Sequence, residues 1–421
     1  NRHFHEKNKY SKLNKRIVMS NIDDFIRVPY GSTVHGQEEI DAVVEVLNTS
    51  TQMSKNVSEF EDKIAKTFEK EYGVMVNSGS SALYLVIEAL NLPKESEVIT
   101  PALTFATTVG CLVKNGLIPA FIDVGYDDYC IDVDKIEEKI NSNTSAICAP
   151  DLMGNICDWK AIRELADKHS LKIIHDSADT LGASLDGVSP GIYSDVSITS
   201  FYGSHVINGA GNGGMIVTSD EEVMNKCKLL RSWGRSSSLF QDSEAIENRF
   251  DVYLEGVQYD AKFVFEQIGY QLEPSEISAA FAIQQLNKLE LNIELRNKYF
   301  NSHVNFFSKY DNFFTLPNQN KSCKTAWLAF PLIVKESSPF TRTEMQIFLE
   351  KRNIQTRVVF TGNILRQPGY SNIKCIGKAD DFVNADNVMK GGILLACHHG
   401  LDQDMLDHLY DSCSIFLDQY I

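Results

Sequence analysis

The chain has 421 residues, 43% of them hydrophobic, and a formal net charge of −16 at pH 7. The length supplies a large core and predicts one big domain plus a smaller one, while no apolar run is long enough for a membrane span. The acidic balance argues against a nucleic-acid surface.

The first 16 residues are polar and basic, without the apolar stretch of a secretion signal, and are expected to be a frayed tail. The nine cysteines are scattered with no Cys-x-x-Cys pair. They read as reduced cytosolic thiols serving as small apolar residues. Apolar spacing predicts helices over Glu38–Leu47 and Val57–Phe68, a strand over Val74–Val76 and a helix over Ala82–Leu90. Strands at Glu97–Thr100, Pro119–Val124, Ser145–Pro150 and Leu171–Asp176 alternate with helices at Phe105–Asn115, Val133–Ile140 and Trp159–His169. Such alternation predicts right-handed crossovers and a mostly parallel sheet covered on both faces. A strand at Gly213–Thr218 and a helix at Glu221–Trp233 follow. Residues Arg235–Lys262 read as a long irregular loop with a functional or interface role. Pro274–Tyr310 reads as one long helix bridging two domains. The remainder reads as a small α+β unit with strands at Trp327–Val334, Gln355–Phe360 and Gly392–Ala396 and helices at Arg342–Lys351 and Asp402–Asp418. The predicted division is a tail over 1–27, a large α/β domain over 28–272, a linking helix over 273–310 and a small domain over 311–421.

Ligands of parallel sheets bind beyond the carboxyl ends of the strands, and three groups fall there. Ser78-Gly79-Ser80-Ser81 opens a helix after a strand, which suits either an anion cradle or an ordinary N-cap. Asp176 ends a buried strand. Ser200–Gly214 is a glycine-rich turn whose one side chain of a type that titrates near neutral pH is His205. With the aromatic Phe105 nearby in the pattern, the set suits a flat phosphorylated heterocycle. Pyridoxal phosphate wants backbone N–H groups and hydroxyls for its phosphate, a carboxylate for its ring nitrogen and an aromatic face on the ring. Adjacent His398 and His399 would point to opposite faces of a strand, so joint chelation of a metal is not expected.

Ser78-Gly-Ser-Ser-Ala, His175-Asp-Ser-Ala-Asp-Thr-Leu-Gly-Ala, Ser200-Phe followed by Gly213-Gly-Met-Ile-Val-Thr, and Arg231-Ser-Trp-Gly-Arg235 resemble the DegT/DnrJ/EryC1/StrS sugar aminotransferases. The resemblance runs from about Val28 to the C-terminus. It implies a fold-type I pyridoxal-phosphate fold: a mostly parallel seven-stranded sheet flanked by helices, plus a smaller C-terminal α+β domain. It also implies a cytoplasmic homodimer, with Gly79, Ser80, Phe105, Asp176, Asp179, Ser200 and Gln271 on the cofactor. Gln271 stands where the family often has an asparagine that reaches the phosphate across the dimer interface. Arg231, Arg235 and Arg357 are the candidates for substrate phosphates, ordinary ion pairing being the alternative.

In the family's aminotransferases a lysine that binds the cofactor covalently stands at the position of His205. No lysine lies between Lys172 and Lys226 here. An imidazole cannot make that link, so the pattern is similar to the family's nucleotide-sugar 3-dehydratases, and Asp179 in place of the usual glutamine agrees. The resemblance implies pyridoxal 5′-phosphate and pyridoxamine 5′-phosphate held noncovalently, His205 as general base, a nucleotide-linked 4-keto-6-deoxy sugar as substrate and L-glutamate as amine donor. One kind of dehydratase needs cysteines just after the Trp-Gly-Arg motif for an iron–sulfur cluster. Here that stretch is Ser236-Ser237-Ser238-Leu239, so neither a cluster nor a partner reductase is expected. An aminotransferase relative that has lost its lysine, or a non-catalytic binding protein on the same fold, is the alternative.

Overall fold

The structure, a computed structural model, describes residues 22–240 and 245–421. The tail expected over 1–27 therefore lies mostly outside the described residues. Two helices, α1 (Gln37–Thr49) and α2 (Lys55–Thr67), precede a seven-stranded sheet. Its strands are β1 (Tyr72–Val76), β2 (Glu97–Pro101), β3 (Ile118–Ile122), β4 (Thr144–Pro150), β5 (Lys172–Asp176), β6 (Val196–Ser200) and β7 (Gly214–Thr218), in the order β1-β7-β6-β5-β4-β2-β3. All neighbours are parallel except β7, which runs antiparallel to both β1 and β6.

The crossovers include α3 (Gly79–Leu90), α4 (Ala106–Lys114) and α5 (Trp159–His169), and α6 (Glu221–Arg231) follows β7. Strands β3, β6 and β7 are buried along their whole length because helices cover both faces. Capping fixes where the helices begin. Ser78 accepts from the Ser81 amide, Asp158 from Ala161, and Asp220 from Glu222 and Val223. Because Ser78 is the cap, the small-residue loop expected before Ala82 is itself the first turn of α3.

The single helix expected over Pro274–Tyr310 is two: α7 (Glu276–Leu286) and α8 (Leu289–Phe307). The apolar spacing continues across the break, but Lys288 is drawn out of helical register. Its ammonium reaches both carboxylate oxygens of fully buried Glu39, at 2.7 and 2.8 Å. The expected irregular loop also carries structure: a short helix at Ile246–Phe250 and a hairpin of β8 (Val252–Leu254) and β9 (Val257–Tyr259).

A four-stranded antiparallel sheet follows, built from β10 (Phe314–Thr315), β11 (Phe330–Val334), β12 (Arg357–Val358) and β13 (Gly392–Leu395), ordered β10-β11-β13-β12. Helices α9 (Arg342–Glu350) and α11 (Gln403–Leu417) contribute to its core, and α10 (Val383–Gly391) leads into β13. An aromatic cluster including Phe300, Trp327 and Phe330 ties α8 to this second sheet.

Candidate active site

The ends of β1, β5, β6 and the start of β7 meet at one place. Gly214 pairs with both Val76 and Ser200. A Cβ on Gly214 would run into the Ser78 carbonyl and the Gly79 amide, so the helix start can close onto the β6–β7 corner only over a glycine. Gly79 is equally tight: a Cβ there would lie 2.7 Å from Cβ of Ser200. The Gly79-Ser80 helix start and the Ser200 hydroxyl therefore form one cradle. Ser80 is exposed and donates to Thr107 Oγ1 at 3.2 Å. The combination of early helical N–H groups, hydroxyls and helix dipole suits a phosphate.

Asp176 is buried at the end of β5. Its carboxylate accepts from Thr108 Oγ1 at 2.8 Å and from the Ala178 amide at 3.2 Å. Burial pushes its pKa up to about 6, against the pull of these two donors. A carboxyl left so costly to ionise suits a cationic N–H placed against it. Phe105 caps the same helix turn that carries Thr108, and its ring is half exposed, edge-on to Phe360 at 5.8 Å. A flat ring could therefore lie over Phe105 with its nitrogen at Asp176. The residues fit pyridoxal phosphate on both counts, phosphate cradle and ring-nitrogen partner.

His205 stands on the turn after β6, its amide bonded to the Tyr202 carbonyl at 3.0 Å. The turn is built on left-handed backbone at Ala210, Gly211 and Gly213, and Ser278 Oγ sits 2.8 Å from the Gly209 and Asn212 carbonyls. The ring Nδ1 lies 3.1 Å from the Ser200 carbonyl. A carbonyl only accepts, so Nδ1 carries the hydrogen and Nε2 presents its lone pair. Asp179 Oδ1 lies 3.7 Å from Nε2, beyond hydrogen-bond reach. The other oxygen of Asp179 accepts from the Met153 amide at 2.9 Å.

Burial, with help from the Arg296 charge, pulls His205 down to about 4, against the Ser200 bond and Asp176. Burial conversely raises Asp179 to about 7, opposed by the Met153 amide and Arg296. At neutral pH the imidazole is thus uncharged and free to accept a proton.

The three arginines divide. Arg231 is buried, 2.6 Å from Glu61 and 2.8 Å from the Met75 carbonyl, which removes it from the substrate role expected of it. Its guanidinium instead ties α6 to α2 and β1. Arg235 lies over the Trp233 ring at 4.3 Å. Arg357 is exposed, donates to the Thr356 carbonyl and lies 5.3 Å from the centre of the Tyr30 ring. Gln271 is exposed, and its backbone bridges to Ser232. His398 and His399 turn to different partners, the Pro29 carbonyl and Arg296.

Sequence reading missed Thr108, Met153, Tyr30 and Arg296. Thr108 was accessible, one helical turn after Phe105. The other three reach the site only through tertiary contacts and leave no local signal.

The DegT/DnrJ/EryC1/StrS aminotransferase family profile matches residues 34–414. The chain is 31% identical over 394 residues to the lipopolysaccharide biosynthesis protein RfbH of Salmonella typhimurium, covering 91% of this chain and 90% of that one. It is 30% identical to the GDP-4-keto-6-deoxy-D-mannose 3-dehydratase of Yersinia pseudotuberculosis, covering 89% and 94%. Among solved structures, Escherichia coli GDP-4-keto-6-deoxy-D-mannose-3-dehydratase with bound hydrated pyridoxal phosphate superposes with a TM-score of 0.83. The identity is 28%, over 92% of this chain and 99% of that one.

Proposed function

Because the chain belongs to the DegT/DnrJ/EryC1/StrS aminotransferase family, we propose that it is a pyridoxamine-phosphate-dependent 3-dehydratase of a nucleotide-linked 4-keto-6-deoxy hexose. In this reading it removes the C3 hydroxyl for deoxysugar and lipopolysaccharide biosynthesis. The observation that carries the reading is His205: a neutral imidazole with its Nε2 lone pair open, on a stretch without lysine. When bound, the cofactor supplies an amine for the sugar ketone and a conjugated ring that takes up an electron pair.

The chain's residues do the rest. Gly79, Ser80 and Ser200 hold the phosphate. Asp176, oriented by Thr108, keeps a proton on the ring nitrogen, and Phe105 covers the ring. His205 Nε2 accepts a proton as general base while the Ser200 carbonyl holds its tautomer. Asp179, kept close to neutrality by burial, stands beside Nε2 without tying up its lone pair. Arg235 and Arg357 are the remaining candidates for the nucleotide phosphates.

The same reading takes L-glutamate as amine donor, a cytoplasmic location, no iron–sulfur reductase, and a large unit over 28–272 joined through 273–310 to a small one over 311–421. It also takes a homodimer. Support comes from the segment leading to Gln271, where Tyr253, Val257, Phe263, Phe265 and Ile268 are all more than half exposed.

The test is incubation with pyridoxal phosphate, L-glutamate and GDP-4-keto-6-deoxymannose. The expected product has lost its C3 oxygen, with ammonia released. A stable 4-amino sugar would identify a transaminase instead, and tight binding without turnover a non-catalytic relative.

A further inference from the structure

Arg296 of α8 is fully buried, and the reading above does not use it. Its guanidinium spans three parts of the molecule. One terminal nitrogen donates to the Ser204 carbonyl at 3.0 Å, one residue before His205. The other donates to the Trp327 and Leu328 carbonyls at 3.1 and 3.2 Å, and Nε donates to His399 Nδ1 at 3.2 Å. No carboxylate oxygen among the described residues lies within ion-pair distance of it. A buried cation without a counter-ion is costly, and cross-bracing main-chain carbonyls does not by itself require a charge.

The charge has targets. The groups that face His205 are Asp176 at the end of β5, Asp179 in the loop beyond it, the Tyr202 ring at 6.1 Å on its own turn, and Arg296. Those that face Arg296 are Tyr30, Asp179, Cys397, His398 and His399. Asp176 favours a protonated imidazole. Among the described residues named above, Arg296 opposes it.

We propose that Arg296 is a positioning residue for His205, tethering its turn through the Ser204 carbonyl and, by its charge, adding to burial in keeping the imidazole in the proton-accepting form beside Asp176. The inference rests on the reading of His205 as the site's base. It also accounts for His399: the bond from Arg296 Nε makes Nδ1 the acceptor, fixing that ring's tautomer and with it the direction of the guanidinium.

The test uses the full-length holoenzyme with 15N-labelled histidine, His205 being assigned by loss of its signal in His205→Gln. Arg296→Gln removes the charge. The His205 titration midpoint should rise by roughly one pH unit or more, and the acidic limb of kcat/KM should rise with it. Arg296→Lys keeps the charge but loses the fork. The midpoint and acidic limb should stay within roughly half a unit, while kcat falls about tenfold because the turn is less well held. An unmoved midpoint in Arg296→Gln, a shifted limb in Arg296→Lys, or an unchanged kcat in Arg296→Lys would each overturn the proposal. Should Arg296→Gln not accumulate folded, the lysine variant decides by the same criteria. If the wild type deoxygenates no 4-keto sugar, the functional reading falls, and the histidine titration still tests Arg296 on its own.

Discussion

The chemistry of one side chain separates this site from that of a transaminase. A lysine amine can form a covalent link to a cofactor aldehyde, and an imidazole cannot. His205→Lys is therefore expected to let borohydride fix pyridoxyl onto the chain, detectable by mass spectrometry. Dehydration should fall by about 10²-fold or more, the range lost with a positioned general base. The wild type should take up no such label. At this scale the sequence was informative wherever a residue's role follows from its strand position. Asp176 and Ser200 end β5 and β6, and the cradle opens the helix after β1. It left Arg231 open between a substrate ligand and an ion pair, because its partner, Glu61, comes from a distant helix.

Helix boundaries show the same division between local and distant causes. The start of α2 is closed not by its own cap but by Glu276 at the head of α7. That carboxylate accepts from the amides of Ser54, Asn56 and Val57 at 2.8, 2.6 and 3.3 Å. The break between α7 and α8 is likewise imposed from outside. Glu39 of α1 is fully buried and accepts from the Gly36 amide, Gln285 and Lys288. Lys288→Met is expected to strand this carboxylate and to cost on the order of 3 kcal/mol in urea unfolding. Lys288→Arg should lose far less. The hydrophobic period read across both helices was correct for each half and blind to the break, because the ion pair that makes it joins residues some 250 positions apart.

For the whole molecule, the buried histidines set an acid limit. Burial, the leading cause in each, lowers His205, His303 and His398 to about 4 and His399 to about 3. Unfolded histidine titrates near 6.5, so between about pH 4 and 6.5 the unfolded chain binds more protons and stability falls as pH falls. Asp176 and Asp179 act oppositely: raised to about 6 and 7, they lower stability as pH rises from about 4. Four groups outweigh two, so the melting temperature should drop on acidification from pH 6.5 to 4 at fixed salt. His303→Gln should flatten that drop, because it replaces a ring held between the Ala396 carbonyl and Tyr410 with a group that does not titrate. Assembly belongs to this scale too. Light scattering should report a dimer for the wild type and a monomer for Phe263→Asp/Ile268→Asp.

Alternation of apolar runs with amphipathic ones determined the parallel sheet, the order of small, acidic and imidazole residues at its strand ends suited a flat phosphorylated heterocycle, and the resemblance of those motifs to a family implied the cofactor and the missing covalent anchor. These are properties of neighbouring residues, and a linear chain displays them. The tertiary structure alone decided which arginine is a brace, where the long helix breaks, and that burial holds His205 uncharged. Each of those depends on charge and desolvation exerted by segments far away in sequence, which meet only once the chain has packed.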